Sequence, residues 1–110
     1  MTEKVFKEEI TQLHANICSG LADPIRILIL YTLFEAPSNV GDLAKKLDLP
    51  QPTTSRHLKL LRERGLVSKK RDCLFIYYHL EDERIIEALD LLRKVLNDRI
   101  THRATLVENQ

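Results

Sequence analysis

The stretch Val40 to Arg71, VGDLAKKLDLPQPTTSRHLKLLRERGLVSKKR, constrains the fold more than any other part of the chain. Val40, Leu43, Ala44 and Leu47 trace one face of a short helix, with Ser38 as its expected N-cap. Only Asp48-Leu49-Pro50 separates it from a second helix, in which Thr54, Leu58 and Leu61 fall on one side at spacings of four and three. Gly65 ends that second helix as a C-cap glycine does. Two short helices joined this tightly, the second led by small polar and basic side chains, describe a helix-turn-helix over residues 38–65.

The side of the second helix away from its apolar stripe carries Pro52, Arg56, Lys59 and Glu63, flanked by Thr53 and Ser55. A helix that enters the major groove by its N-terminal end must be thin and polar there and free of core duties. Its first-turn N–H groups and its dipole both favour phosphate oxygens. On this reading Gln51, Thr53 and Arg56 face bases, Arg56 by forking onto guanine, while Ser55 and Lys59 hold the sugar-phosphate backbone. His57 lies about a third of a turn from the inward face, so packing or orienting a phosphate suits it as well as base contact. Thr54 faces inward.

LVSKKRDCLFIYYHL then reads as a two-stranded hairpin turning near Arg71-Asp72, a wing over residues 66–80. Tyr77 and Tyr78 are expected to pack along its strand. Lys69, Lys70 and Arg71 would reach neighbouring phosphates or the minor groove. Net charge, +1, says little about partners, but its distribution does. Seven of seventeen basic residues lie between Arg56 and Arg71, with Glu63 the single acid among them.

The remaining segments supply a frame. Phe6, Ile10, Leu13 and Ile17 make Glu3 to Ile17 a single-stripe amphipathic helix. Asp23-Pro24 opens PIRILILYTLFE, which is apolar around most of its circumference and is the expected core helix, with Arg26 at its start in a structural ion pair. Asp82 to about His102 repeats Ile85, Leu89, Leu92, Leu96 and Ile100, and residues 103–110 are expected to fray. The reading is one domain over 1–102, mainly α with a small β-hairpin. The N-terminus lacks a signal-peptide core and no run approaches a membrane span, so a cytoplasmic protein with no membrane partner is expected. There is no Gly-rich phosphate loop and no nucleophile motif, hence no enzyme is expected.

LADPIRILILYTL, LPQPTTSRHLKLLRERGLV and IYYHL occur in the order, and with the content, found in the ArsR/SmtB repressors, and the chain resembles that family from about Ile17 to Leu96. The resemblance implies a winged helix-turn-helix of order α-α-α-α-β-β-α. It also implies a homodimer joined through the first and last helices (3–17 and 82–102), and repression of double-stranded operator DNA relieved by an inducer. Two single-stripe helices at opposite ends of the chain fit a dimer independently.

The family's metal-sensing patterns fail here. The helix before the turn reads SNVGDLAKKL, without a thiol, and on the last helix Asp82 matches a zinc ligand while Arg84, Val95 and Asp98 stand at the other ligand positions. His14, His79, Cys18, Cys73, Asp98 and His102 remain as candidate ligands; of these Asp98 and His102, four apart on one helical face, could bind metal with groups from a second protomer, with an exposed surface pair as the plainer reading. Cys73 at the wing tip, flanked by Lys70 and Arg71, is a candidate thiol sensor or a tolerated small loop residue. Cys18, at the first helix junction, is a second sensor candidate or a small buried hydrophobe. The expected function is therefore a dimeric repressor of an imperfect palindrome, released by a thiol-reactive species or a metal, with no cofactor required otherwise. The alternatives are a repressor with no small-molecule input and a winged-helix protein-interaction module.

Overall fold

The computed structural model describes residues 2–108, with side chains described through residue 104. In chain order it holds α1 (Glu3–Leu13), a π-helical turn (His14–Cys18), α2 (Ser19–Leu21), α3 (Pro24–Glu35) and α4 (Val40–Leu47). These are followed by α5 (Gln51–Glu63), the strands β1 (Val67–Asp72) and β2 (Phe75–Leu80), and α6 (Arg84–Glu108).

α3 starts where the sequence says it should. Asp23 accepts from the N–H of Ile25 (2.8 Å) and of Arg26 (3.4 Å), and Pro24 fills the first helical position. Because α3 is apolar nearly all round, it takes the centre: Ile29, Leu30 and Leu33 are buried against Leu43 of α4, Leu58 and Leu61 of α5, Leu66, Val67, and Ile86 and Leu89 of α6. Arg26 is structural, as expected, but its close partners are carbonyls. It donates to Gly20 O (2.8 Å) and Ser19 O (3.0 Å), with the Asp23 carboxylate further off at 3.9 Å. The guanidinium thus satisfies helix-end carbonyls that would otherwise lack donors. Gly20 lies so close to the end of α5 that a Cβ there would stand 2.6 Å from Leu66 Cδ1.

Four boundaries differ from expectation. The first helical run reaches Leu21 rather than ending at Ile17, because a π-helical turn, closed by Ser19 N–H to His14 O, absorbs an extra residue and carries the helix on. Ile17 and Leu21 then pack on the core, and Cys18, expected to be buried, is exposed. The N-cap of α4 is Asn39, whose side chain accepts from Asp42 N (2.8 Å), and not Ser38. Ser38 is held instead by a two-way backbone bridge to Tyr78, at 2.8 and 3.2 Å.

The hairpin turns at Cys73-Leu74, two residues later than expected. The antiparallel register from Val67↔Leu80 to Asp72↔Phe75 pairs every residue up to that point and leaves only two for the loop. Finally, α6 continues six residues past His102, to Glu108, since no Gly or Pro interrupts residues 84–108. The backbone of 103–108 is helical, and the rest of the segment expected to fray, 109–110, lies outside the described residues. Among the described residues no single helix is long and apolar enough to cross a membrane.

Candidate nucleic-acid interface

The connection between α4 and α5 is the expected Asp48-Leu49-Pro50, and Asp48 makes the sharp turn in the left-handed region (φ 54°). α5 therefore leaves the turn at a fixed angle to α4 and divides into two sides. Thr54, Leu58 and Leu61 are buried, and Thr54 Oγ1 donates back to Pro50 O (3.1 Å), which satisfies a hydroxyl that has no access to water. Gln51, Pro52, Ser55, Arg56 and Lys59 are exposed, while Thr53 and His57 are half-buried. The half-burial of His57 agrees with its intermediate position on the helix.

No side chain caps the start of α5, so the protein provides no side-chain acceptor for its first-turn N–H groups. Arg56 reaches back along the exposed side, and its Nη2 donates to Thr53 Oγ1 (3.3 Å). These two side chains thus share one patch on the outer face of the helix start.

α5 ends through Gly65 (φ 74°) and passes by Leu66 directly into β1, so the wing is packed beside the helix it follows. The register places Lys69 and Arg71 on one face of the hairpin and Lys70 on the other. All three are exposed. Tyr78 packs against the core, as expected for strand packing, and Tyr77 lies on the outer face with its ring 6.3 Å from that of Phe75.

The candidate sensor residues lie on three different parts of the fold, the first helical run, the wing tip and α6. Cys18 and Cys73 are both free and exposed, the first in the π-helical turn and the second at the wing tip in the left-handed region (φ 57°). Asp98 and His102 are exposed on α6, and among the described residues no group of three or more His, Cys, Asp and Glu gathers around a common point. Asp82 is already engaged. The Arg84 guanidinium grips its carboxylate at 2.7 to 3.2 Å and, with the Arg84 N–H, lowers its pKa to about 2.

Two features were not anticipated. Tyr31 on α3 donates to Asp90 on α6 (2.6 Å), and the Arg93 guanidinium lies 5.2 Å from the Tyr31 ring centroid and 3.2 Å from the same carboxylate. A tyrosine within an otherwise apolar core helix was the available signal, since its hydroxyl must find a partner. The other is the wing tip, where Leu74, Phe75 and Ile76 are all exposed.

A helix-turn-helix with an uncapped, outward-facing second helix and an adjoining basic hairpin defines a winged helix-turn-helix of the DNA-binding type. Residues 23–69 match the model of the bacterial regulatory proteins of the arsR family. The chain is 37% identical over 92 residues to the nodulation protein NolR of Rhizobium meliloti, covering 84% of this chain and 75% of that one. It is 43% identical over 78 residues to the biofilm growth-associated repressor of Agrobacterium fabrum, covering 68% and 67% respectively. The crystal structure of NolR from Sinorhizobium fredii superposes with a TM-score of 0.73 at 35% identity, over 86% of this chain and 93% of that one. The chain belongs to the ArsR/SmtB family, whose members are transcriptional regulators and not enzymes.

Proposed function

We propose that the chain is a transcriptional repressor that binds an imperfect palindrome in operator DNA as a homodimer. The observation that carries this reading is the division of α5, with Thr54, Leu58 and Leu61 sealed into the core and Gln51, Ser55, Arg56 and Lys59 left outside an uncapped helix start. In this role Arg56, Thr53 and Gln51 read base edges in the major groove. Ser55, Lys59, Lys69, Lys70 and Arg71 hold phosphates, and His57 orients one from its half-buried position.

Dimerisation follows from surface that one copy leaves uncovered. α1 has no buried residue and exposes Val5, Phe6, Ile10 and Leu13, while α6 exposes Leu91, Leu92, Val95, Leu96 and Ile100. A second copy that buries these stripes relates the two recognition helices by a two-fold axis, and half-sites about 34 Å apart would match it. Release of the operator is assigned to a thiol-reactive inducer acting at Cys73 or Cys18. Both thiols are exposed, and the Asp98–His102 pair gathers no third ligand from its own described chain.

The test is binding to duplexes selected from a random library by the full chain, followed across a salt series. Arg56→Ala should cost about 1–3 kcal/mol on selected DNA and relax preference at one position. Lys69→Ala should weaken selected and random DNA alike and lower the salt slope by about one. Equal losses on both DNAs for Arg56→Ala would remove it as a base reader. Binding without a salt slope would point to a protein-interaction module.

A further inference from the structure

We propose that the wing tip is an apolar wedge for the minor groove, with Leu74 entering between base pairs, Phe75 and Ile76 behind it, and Lys69, Lys70 and Arg71 on the flanking phosphates. The inference rests on the reading of the chain as a DNA-binding regulator and adds to it a second point of entry and a distortion of the duplex. Its starting point is exposure: Leu74 is 88% exposed, Phe75 55% and Ile76 44%, three consecutive apolar side chains at the end of a hairpin. A water-facing tip is ordinarily made of polar turn residues, and an uncovered apolar one invites aggregation unless something receives it.

The tip is also stiff. Asp72 pairs with Phe75, so the loop is Cys73-Leu74 alone. Arg71 Nε donates to Cys73 O (3.3 Å), tying the strand end to the turn. A wedge must resist bending when base pairs close on it, and a two-residue turn with an internal bond does so better than a long loop.

Charge names the occupant. The hairpin carries Lys69 and Arg71 on the face with Ile76, and Lys70 on the face with Tyr77 and Phe75, against one acid, Asp72, on that second face. A polyanion with an apolar interior satisfies both the cations and the tip. A second copy of the wing does not, because it would bring the same cations against these. Reach agrees: six strand residues at about 3.3 Å each carry the tip roughly 20 Å from the hairpin base. The minor groove next to an occupied major groove lies half a helical turn away, about 17 Å. Side chains inserted in this way unstack a base step and kink the duplex by roughly 20–90°.

The experiment uses the full chain and library-selected duplexes of about three helical turns, scanned with 2-aminopurine and labelled at their ends for energy transfer. Expected are a fluorescence rise at one step beside each half-site, shortening of the end-to-end distance, and loss of both in Leu74→Ala and Leu74→Ser. Those variants should bind roughly tenfold more weakly, with unchanged thermal stability, and Leu74→Phe should retain the kink. Steep salt-dependent binding with no unstacking, or with Leu74→Ala equal to the parent, overturns the wedge and leaves the regulator reading intact. Failure of the chain to select or bind any duplex overturns both. A change of sedimenting mass in Leu74→Ala without DNA also overturns the wedge, in favour of self-contact.

Discussion

Tyr31 Oη lies 2.6 Å from Asp90 Oδ1, and that bond ties the central helix of the DNA-binding half to the long C-terminal helix. Arg93 closes the contact by approaching both the ring and the carboxylate. Partial burial and the hydrogen bond to Asp90 raise the Tyr31 pKa above 10.0. A raised folded-state pKa means the link is at full strength below about pH 10 and is lost as pH rises through the folded value. Tyr31→Phe should lower stability by at most about 1 kcal/mol, because water competes at the exposed carboxylate, and should remove the alkaline decline. Urea titrations at neutral pH and above pH 10 read both effects. An alkaline decline of equal size in Tyr31→Phe would assign it to other groups.

Adjacent threonines on α5 should separate stability from binding. Thr54 is fully buried, and Thr54→Ala removes a packed methyl and a satisfied hydroxyl, so a loss of about 1–2 kcal/mol in denaturant stability is expected. Thr53→Ala should leave stability within about 0.5 kcal/mol and act on DNA affinity instead. The reverse pattern would mean that the two sides of α5 have been assigned backwards.

Asp82 and Arg84 offer a titration that can be watched directly. Asp82 has a lowered folded pKa of about 2, so its pairing contributes above the ordinary value of 3.8 and is lost as pH falls through 2. In Arg84→Ala the carboxyl resonance of Asp82 should titrate near 3.8, while α6 remains helical. An unchanged midpoint would show that the guanidinium is not its main partner.

Cys73 holds a positive φ of 57° that favours glycine. Cys73→Gly should raise stability by roughly 0.5–1 kcal/mol in thermal or urea unfolding. Combined with Cys18→Ala, it should also leave operator binding indifferent to peroxide and persulfide. A response that survives both substitutions would sink thiol input.

Much of this architecture was legible because it follows from local rules. Asp23-Pro24 announces α3, the three-residue turn announces the α4–α5 angle, and Thr54, Leu58 and Leu61 announce the buried side of α5. What escaped depends on partners distant in sequence. Ser38 offers a good capping hydroxyl, but its backbone is claimed by Tyr78 forty residues on, and the cap passes to Asn39. The Tyr31–Asp90 bond spans an even longer separation, and no periodicity in either helix announces it. The hairpin turn moved because six-pair register outweighed the polar composition of Arg71-Asp72. The exposure of Cys18 depended on a change of helical pitch that alternating apolar spacing does not reveal.

That change of pitch, at His14–Cys18, sets the rotational phase between the amphipathic stripe of α1 and the core it is attached to. Each residue of an α-helix advances the side chains by about 100°. Because the π-helical turn absorbs one residue, losing that residue would restore regular α geometry with the stripe of Phe6, Ile10 and Leu13 still in phase, whereas losing one from the regular helix beside it would turn the stripe by that angle. The π-helical turn is thus a place where chain length can change by one residue without turning the apolar face of α1.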